Sequence, residues 1–313
     1  MKKTPVSLII DDSGVVNMAY FHNLDYEHEL LIPPAFTKEF AAICRKNGVK
    51  GKFSVVPMPG GIGRLDRKIN RIPASFLRTT LRIIKNEIEP VFSITPEILT
   101  HYQAYDLKRE KLRHVLEDYY FSDLDVPEVT DYVSLALEIL VNIGLNPTGV
   151  TSPWSCGINN ERNYAEGIGR AFRRVKKTDR CFYFLHSGDD QKKPVLMCDS
   201  KATGKVVSIP NNTFDPFGGT MLPAGIRQAR LSAREKIDRI LSPDGKTGIA
   251  RDRFEQGLPI ILISHWQRLF SDGKKTGLEG LDVLTKRINR VFGRQIEWKT
   301  FEEIMSNCIK NQA

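Results

Sequence analysis

Val6-Ser7-Leu8-Ile9-Ile10-Asp11-Asp12-Ser13-Gly14 decides how this chain is read. A short run of branched apolar residues, closed by a Ser-Gly turn signal, predicts a buried strand. Side chains alternate between the two faces of a strand, so Asp11 and Asp12 would diverge if the strand continued. Ser13-Gly14 ends it, and both carboxylates are then free to reach one cleft. In barrels and open α/β sheets, ligands sit at that carboxyl end of the strands. Taken alone, an Asp-Asp pair could simply open the following turn; the rest of the chain argues for more.

Outward from this strand, apolar runs alternate with helical periodicity. Gly51–Val56, Pro90–Ile94, Thr148–Ser152, Cys181–Leu185, Val206–Ile209, Leu258–Ser264 and Gln295–Trp298 read as strands. Ala35–Asn47, Ile72–Asn86, Pro127–Ile143, Asn160–Val175, Ala224–Leu241, Gly280–Phe292 and Phe301–Ile309 read as helices, several ended by glycine. Residues 102–126 are charged and aromatic and read as irregular structure or a helix. Strands alternating with helices predict βαβ units and a mostly parallel sheet. No repeat or linker divides the chain, so residues 1–313 read as a single domain. Periodicity does not choose between a closed barrel and a doubly wound sheet.

The net charge of +9 would suit an anionic partner. The densest basic group, Arg170 to Arg180, lies where a helix end favours cations anyway, and no nucleic-acid motif accompanies it. The expectation is therefore no nucleic acid. Five cysteines without Cys-x-x-Cys spacing argue against a disulfide framework or a cysteine zinc knuckle. No stretch is long enough to span a membrane. No leader is visible before the first strand, which reads as cytoplasmic, although a chain whose leader had been removed would look the same. Oligomeric state is not legible.

Three strands run into residues that carry chemistry: Asp11-Asp12, His101 and His265. Carboxylates and imidazoles converging at one end of a parallel sheet suit metal-assisted hydrolysis, in which a divalent ion acidifies water, a carboxylate takes its proton and a histidine protonates the leaving group. No Gly-x-Ser-x-Gly supports a serine nucleophile. His114 and His186 have no partner in the sequence.

These residues resemble the motifs of the polysaccharide deacetylase (NodB-homology, carbohydrate esterase family four) superfamily, from which the chain diverges. The strand ending in Asp11-Asp12 resembles the first motif. Ser93-Ile94-Thr95-Pro96-Glu97-Ile98-Leu99-Thr100-His101 resembles the strand and loop of its histidine motif, Thr151-Ser152-Pro153-Trp154 its Arg-x-Pro-aromatic motif, and Leu262-Ile263-Ser264-His265 its closing Leu-x-x-His. The resemblance implies a distorted (β/α) barrel of about seven mostly parallel strands. It also implies metal-dependent removal of an acetyl group, as amide or ester, from a carbohydrate. Carried over by position, Asp11 is the base, His265 the acid, and Asp12 and His101 metal ligands. Trp154 lines the acetyl pocket, and Tyr105 and Trp266 are further substrate contacts. The implied cofactor is a divalent metal, zinc first.

The chain departs from that pattern twice. With His101 as the first histidine of His-x-x-x-His, the second position is Tyr105, which leaves a ligand missing; His22 is the candidate replacement. The basic residue of the third motif is Thr151. The alternative reading is a carbohydrate-binding protein that kept the cleft and lost the metal.

Overall fold

The computed structural model describes residues 3–22, 27–186, 192–221 and 225–311. The strands are β1 (Thr4–Asp11), β2 (Gly51–Val55), β3 (Phe92–Pro96), β4 (Gln103–Asp106), β5 (Lys111–Leu116), β6 (Gly149–Thr151), β7 (Arg180–Phe184), β8 (Val195–Ser200), β9 (Gly204–Ser208), β10 (Ile260–His265) and β11 (Ile296–Trp298). The helices are α1 (Ala19–His22), α2 (Pro34–Asn47), α3 (Ala74–Ile83), α4 (Glu117–Phe121), α5 (Val126–Asn142), α6 (Glu161–Val175), α7 (Ile226–Ile240), α8 (Ile249–Glu255), α9 (Trp266–Phe270), α10 (Thr276–Phe292) and α11 (Phe301–Lys310). The helix read from the sequence over Ala224–Leu241 is seen from Ile226; Ala224 lies outside the described residues.

The strands pair in two parallel runs, β10-β1-β2-β3 and β6-β7-β9, with β8 antiparallel on the outer edge of β9. Single parallel bridges, Ile94 with Pro147 and Glu97 with Thr151, join β3 to β6. At the opposite seam Asn212 spans the gap between the end of β9 and β10. Its side-chain oxygen accepts from the Ile261 N–H at 2.9 Å, and its amide donates to the Pro259 carbonyl at 2.7 Å. The result is a distorted (β/α) barrel of seven parallel strands. Inside it Ile9, Phe182, Phe184, Val207, Ile261 and Ile263 form one apolar cluster, joined by Phe301, Ile304 and Met305 of α11. The larger core lies between the strands' other face and the helices.

Local chemistry explains the helix ends. α5 begins at a capping box, in which Asp125 accepts from the Glu128 N–H and Glu128 from the Asp125 N–H. α11 starts the same way at Thr300 and Glu303.

Residues 102–126 differ from the sequence reading. They form the β4–β5 hairpin and the short α4. The Asp106 carboxylate accepts from the Lys108 and Arg109 N–H groups, and Glu110 takes a left-handed φ of 50°. That Asx turn reverses the chain, while β5 is too exposed to show strand alternation.

Candidate active site

Parallel register brings the chemistry together. Asp11, the last residue of β1, pairs with His265, the last residue of β10. Glu97 follows β3 and bridges Thr151, the end of β6. Three residues here take left-handed backbone uncommon for side-chain-bearing residues: Asp12 (φ 60°), His101 (φ 49°) and Trp154 (φ 46°). Such conformations cost about 1–3 kcal/mol each and concentrate at functional sites. At Asp12 the left-handed turn breaks strand alternation. Gly14 then takes φ 138°, closed to L side chains, and its carbonyl accepts from the Trp266 indole N–H at 3.1 Å.

Asp12, Glu97 and His101 are buried and each offers an atom to a cluster whose members all lie within 4.8 Å of one another. His101 Nδ1 stands 2.8 Å from Asp12 Oδ1 and 3.3 Å from Glu97 Oε1. Even so, Asp12 Oδ1 and both ring nitrogens of His101 make no well-formed hydrogen bond. The other carboxylate oxygens are held. Glu97 Oε2 accepts from the Asp12 N–H (2.6 Å) and from the Ser54 hydroxyl (2.5 Å), and Asp12 Oδ2 accepts from the Gln267 amide. Orphaned, buried and convergent O and N donors of this kind fit a divalent cation.

The electrostatics agree. Burial, then the charge of Asp12, pushes the Glu97 carboxyl up to about 8. Burial opposes protonation of His101, but the charges of Asp12 and Glu97 outweigh it and lift the imidazole to about 9. Burial would also raise Asp12, yet His101 holds it well below the ordinary carboxylate range. Two carboxylates competing for one imidazolium form a site short of positive charge.

Counting four residues back from His101 arrives at Glu97, so the motif reads Glu97-x-x-x-His101. His101 is its second member, and Tyr105 is not in it. Tyr105 lies on β4, its N–H donating to the Tyr132 hydroxyl at 2.9 Å, and it is not among the cleft-lining residues. His22 lines the cleft, but its Nε2–H donates to the His101 carbonyl at 2.5 Å, and its ring packs 4.9 Å from Trp154. Burial and the charge of His101 push His22 down to about 4. It braces the His101 loop outside the Asp12–Glu97–His101 group.

The basic residue that position 151 lacks has a counterpart on another strand. Lys52 of β2 is fully buried; its ammonium donates to Asp11 and, at 2.6 Å, to the Thr151 hydroxyl, and lies 5.0 Å over the Phe184 ring. A lysine inside an apolar strand was the available signal. Asp11 itself is buried behind the cleft wall. Its Oδ2 has no hydrogen-bond partner, and His186 Nε2, which does line the cleft, stands 3.6 Å from it. Burial presses the His186 imidazole down to about 4. Its ring stacks on His265 at 6.4 Å.

His265 has a partner the sequence reading missed. Its Nδ1 and backbone N–H both donate to Asp215 Oδ2, at 2.7 and 3.1 Å. Burial would lower this imidazole, but the Asp215 hydrogen bond and the charges of Asp12 and Asp215 raise it. Glu117 acts behind His101. Its carboxylate accepts from the N–H groups of Leu99 (3.3 Å), Thr100 (3.0 Å) and His101 (2.9 Å) and from the Tyr132 hydroxyl (2.8 Å).

Trp154 lines the cleft, 4.5 Å from the His101 ring. Trp266 does not. It is wholly buried among Phe36, Phe40 and Phe53, because the side chain following His265 faces the helices. The cleft encloses about 620 Å³ over Asp12, Glu97 and His101, with His265 and Arg268 on one wall and Trp154 in its lining.

No family model and no curated protein sequence matches the chain. Solved structures do. One, described as a "putative polysaccharide deacetylase from Mycobacterium smegmatis", aligns over 99% of this chain and 96% of its own at 14% identity, with a TM-score of 0.52. A second, described as a "probable Polysaccharide deacetylase from Pseudomonas aeruginosa PAO1", aligns over 98% of this chain and 90% of its own at 11% identity, with a TM-score of 0.53. The chain has the polysaccharide deacetylase fold. In this version of that fold, the strand ends bring Asp12, Glu97 and His265 to one cleft, with Asp11 and Thr151 buried behind its wall. No helix among the described residues is long and apolar enough to cross a membrane.

Proposed function

We propose that this chain is a metal-dependent hydrolase that removes an acetyl group, held as an amide or ester, from a carbohydrate. The observation that carries this reading is the buried cluster of Asp12, Glu97 and His101, in which Asp12 Oδ1 and both ring nitrogens of His101 are orphaned, set between an Asp11–Lys52 pair and an Asp215–His265 pair. Asp12, Glu97 and His101 would hold the ion, with zinc the first candidate for an N,O donor set. A divalent cation there supplies Lewis acidity toward an acyl oxygen and lowers the pKa of water.

The remaining chemistry belongs to the chain. The proton of the attacking water passes to Asp11 by way of His186, which lines the cleft 3.6 Å from Asp11 Oδ2, and Lys52 holds that carboxylate in place. Water adds to the acyl carbon, and the C–N or C–O bond breaks. His265 delivers the proton to the departing nitrogen or oxygen, leaving acetate and an amine or alcohol. Asp215 fixes the tautomer of His265 by holding its Nδ1–H, so that Nε2 carries the transferred proton. Trp154 forms an apolar wall for the acetyl methyl and sugar face.

The test is metal content and acetate release for the wild type, Asp12→Ala and Glu97→Ala, each supplied with zinc. Near-stoichiometric metal in the wild type, lost in both variants together with acetate release from acetylated oligosaccharides, is expected. A wild type that takes up no metal would refute the hydrolase and leave a carbohydrate-binding protein.

A further inference from the structure

The wall of the cleft beyond His265 holds more positive charge than its neighbours neutralise. Asp215 is the carboxylate at this wall, and its Oδ2 is shared between His265 and Arg268, whose Nη1 donates to it at 3.0 Å. That bond engages one of the five donors of the guanidinium. The side chain of Arg268, 35% exposed, lines the cleft. Lys236 on α7 makes no hydrogen bond or ion pair with any described residue.

The two cations face one spot. A Cβ placed on Gly218 would lie 3.5 Å from Arg268 Nη1 and 3.8 Å from Lys236 Nζ, with no heavy atom outside the adjoining residues nearer than these. Gly218 is itself part of the cleft lining and has no side chain to fill the space. Two like charges held over one small opening repel each other, and an anion between them removes the repulsion. The guanidinium fork suits a planar or tetrahedral oxyanion, and the ammonium adds a point charge.

We propose that Arg268, Lys236 and the open floor at Gly218 form a subsite for an anionic substituent, a carboxylate, phosphate or sulfate, on the carbohydrate that occupies the cleft. This rests on the hydrolase reading above and names the substrate class: an acetylated sugar that carries a negative charge. The subsite adjoins the Asp215–His265 pair, so it would fix which end of the sugar meets the acid. The chain's charge of +9 would favour encounter with such a ligand at low salt.

The experiment is calorimetric binding of N-acetylglucosamine, its 6-phosphate, its 6-sulfate and N-acetylmuramic acid to the full chain with zinc supplied, alongside acetate release. At least one charged sugar is expected to bind on the order of tenfold or more tighter than N-acetylglucosamine, with the advantage shrinking as salt rises. Which sugar wins identifies the anion. Lys236→Gln should remove most of that advantage and leave the affinity for N-acetylglucosamine unchanged; Arg268→Lys should weaken it while keeping the charge. Equal affinity for neutral and charged sugars, with acetate still released, would overturn the subsite and leave the hydrolase standing. A preference that survives in both variants would overturn the assignment to these residues. Neither binding nor hydrolysis of any sugar would overturn both readings.

Discussion

Lys52→Met tests the least expected feature of the site without reference to activity. Lys52 is fully buried, and Asp11 is as well. The ammonium is the hydrogen-bond donor to Asp11 and also reaches Thr151. Methionine keeps roughly the volume of the stem and removes the charge. Thr151 would retain the Thr95 hydroxyl at 2.8 Å. Asp11 would retain only His186, at 3.6 Å. Breaking a buried pair from one side costs about 3–5 kcal/mol, because the surviving charge is uncompensated. The lost contact with the Phe184 ring adds about 0.5–2 kcal/mol. Against a total stability of about 5–15 kcal/mol this is a large fraction, to be read from urea unfolding followed by circular dichroism. Asp11→Asn in the Lys52→Met background removes the stranded charge and should recover much of the loss. A single-variant loss below about 1 kcal/mol, or a double variant whose losses simply add, would refute the account of Lys52 as the partner that makes a buried Asp11 tolerable.

Two further outcomes follow from the neighbouring residues. Glu117→Leu strands three backbone N–H groups of the His101 loop, each worth about 1–3 kcal/mol when buried and unsatisfied. The variant should lose about 3 kcal/mol or more and show faster hydrogen exchange at residues 99–101; unchanged exchange there would sink this role. The raised pKa of His265 gives a pH dependence with a definite sign. The folded state holds this proton more tightly than the unfolded chain, so its contribution to stability is full below the ordinary histidine range and fades as pH rises through the folded value. In the proposed role of acid it acts protonated, so acetate release should fall over that same rise. Asp215→Asn should move the alkaline fall to lower pH, checked by rate profiles and by the His265 ring-proton shift in NMR.

Much of the barrel was legible from periodicity. The βα alternation, the long α5 with its capping box, and the carboxylates at the end of β1 all follow from local patterns: branched apolar runs, helical spacing, and turn residues that stop each element. His265 and Trp154 could be placed at strand ends for the same reason. The β4–β5 hairpin was not legible, because its turn depends on the Asp106 carboxylate and its outer strand lacks an apolar face.

Local patterns alone settle which residues stand at the carboxyl ends of strands, since that depends only on where each apolar run stops. What the tertiary structure decided is which of them meet. Glu97 rather than Tyr105 joins Asp12 and His101, because the left-handed backbone at His101 folds the loop back on β3. Lys52 supplies the cation that position 151 lacks, because the β1–β2 register sets it beside Ile9, on the face of Asp11. Asp215 reaches His265 across 50 residues of chain. Trp266 turns into the core one residue after His265 turns into the cleft. These meetings are set by strand register and by which face each side chain takes, and neither is a property of any single stretch of the chain.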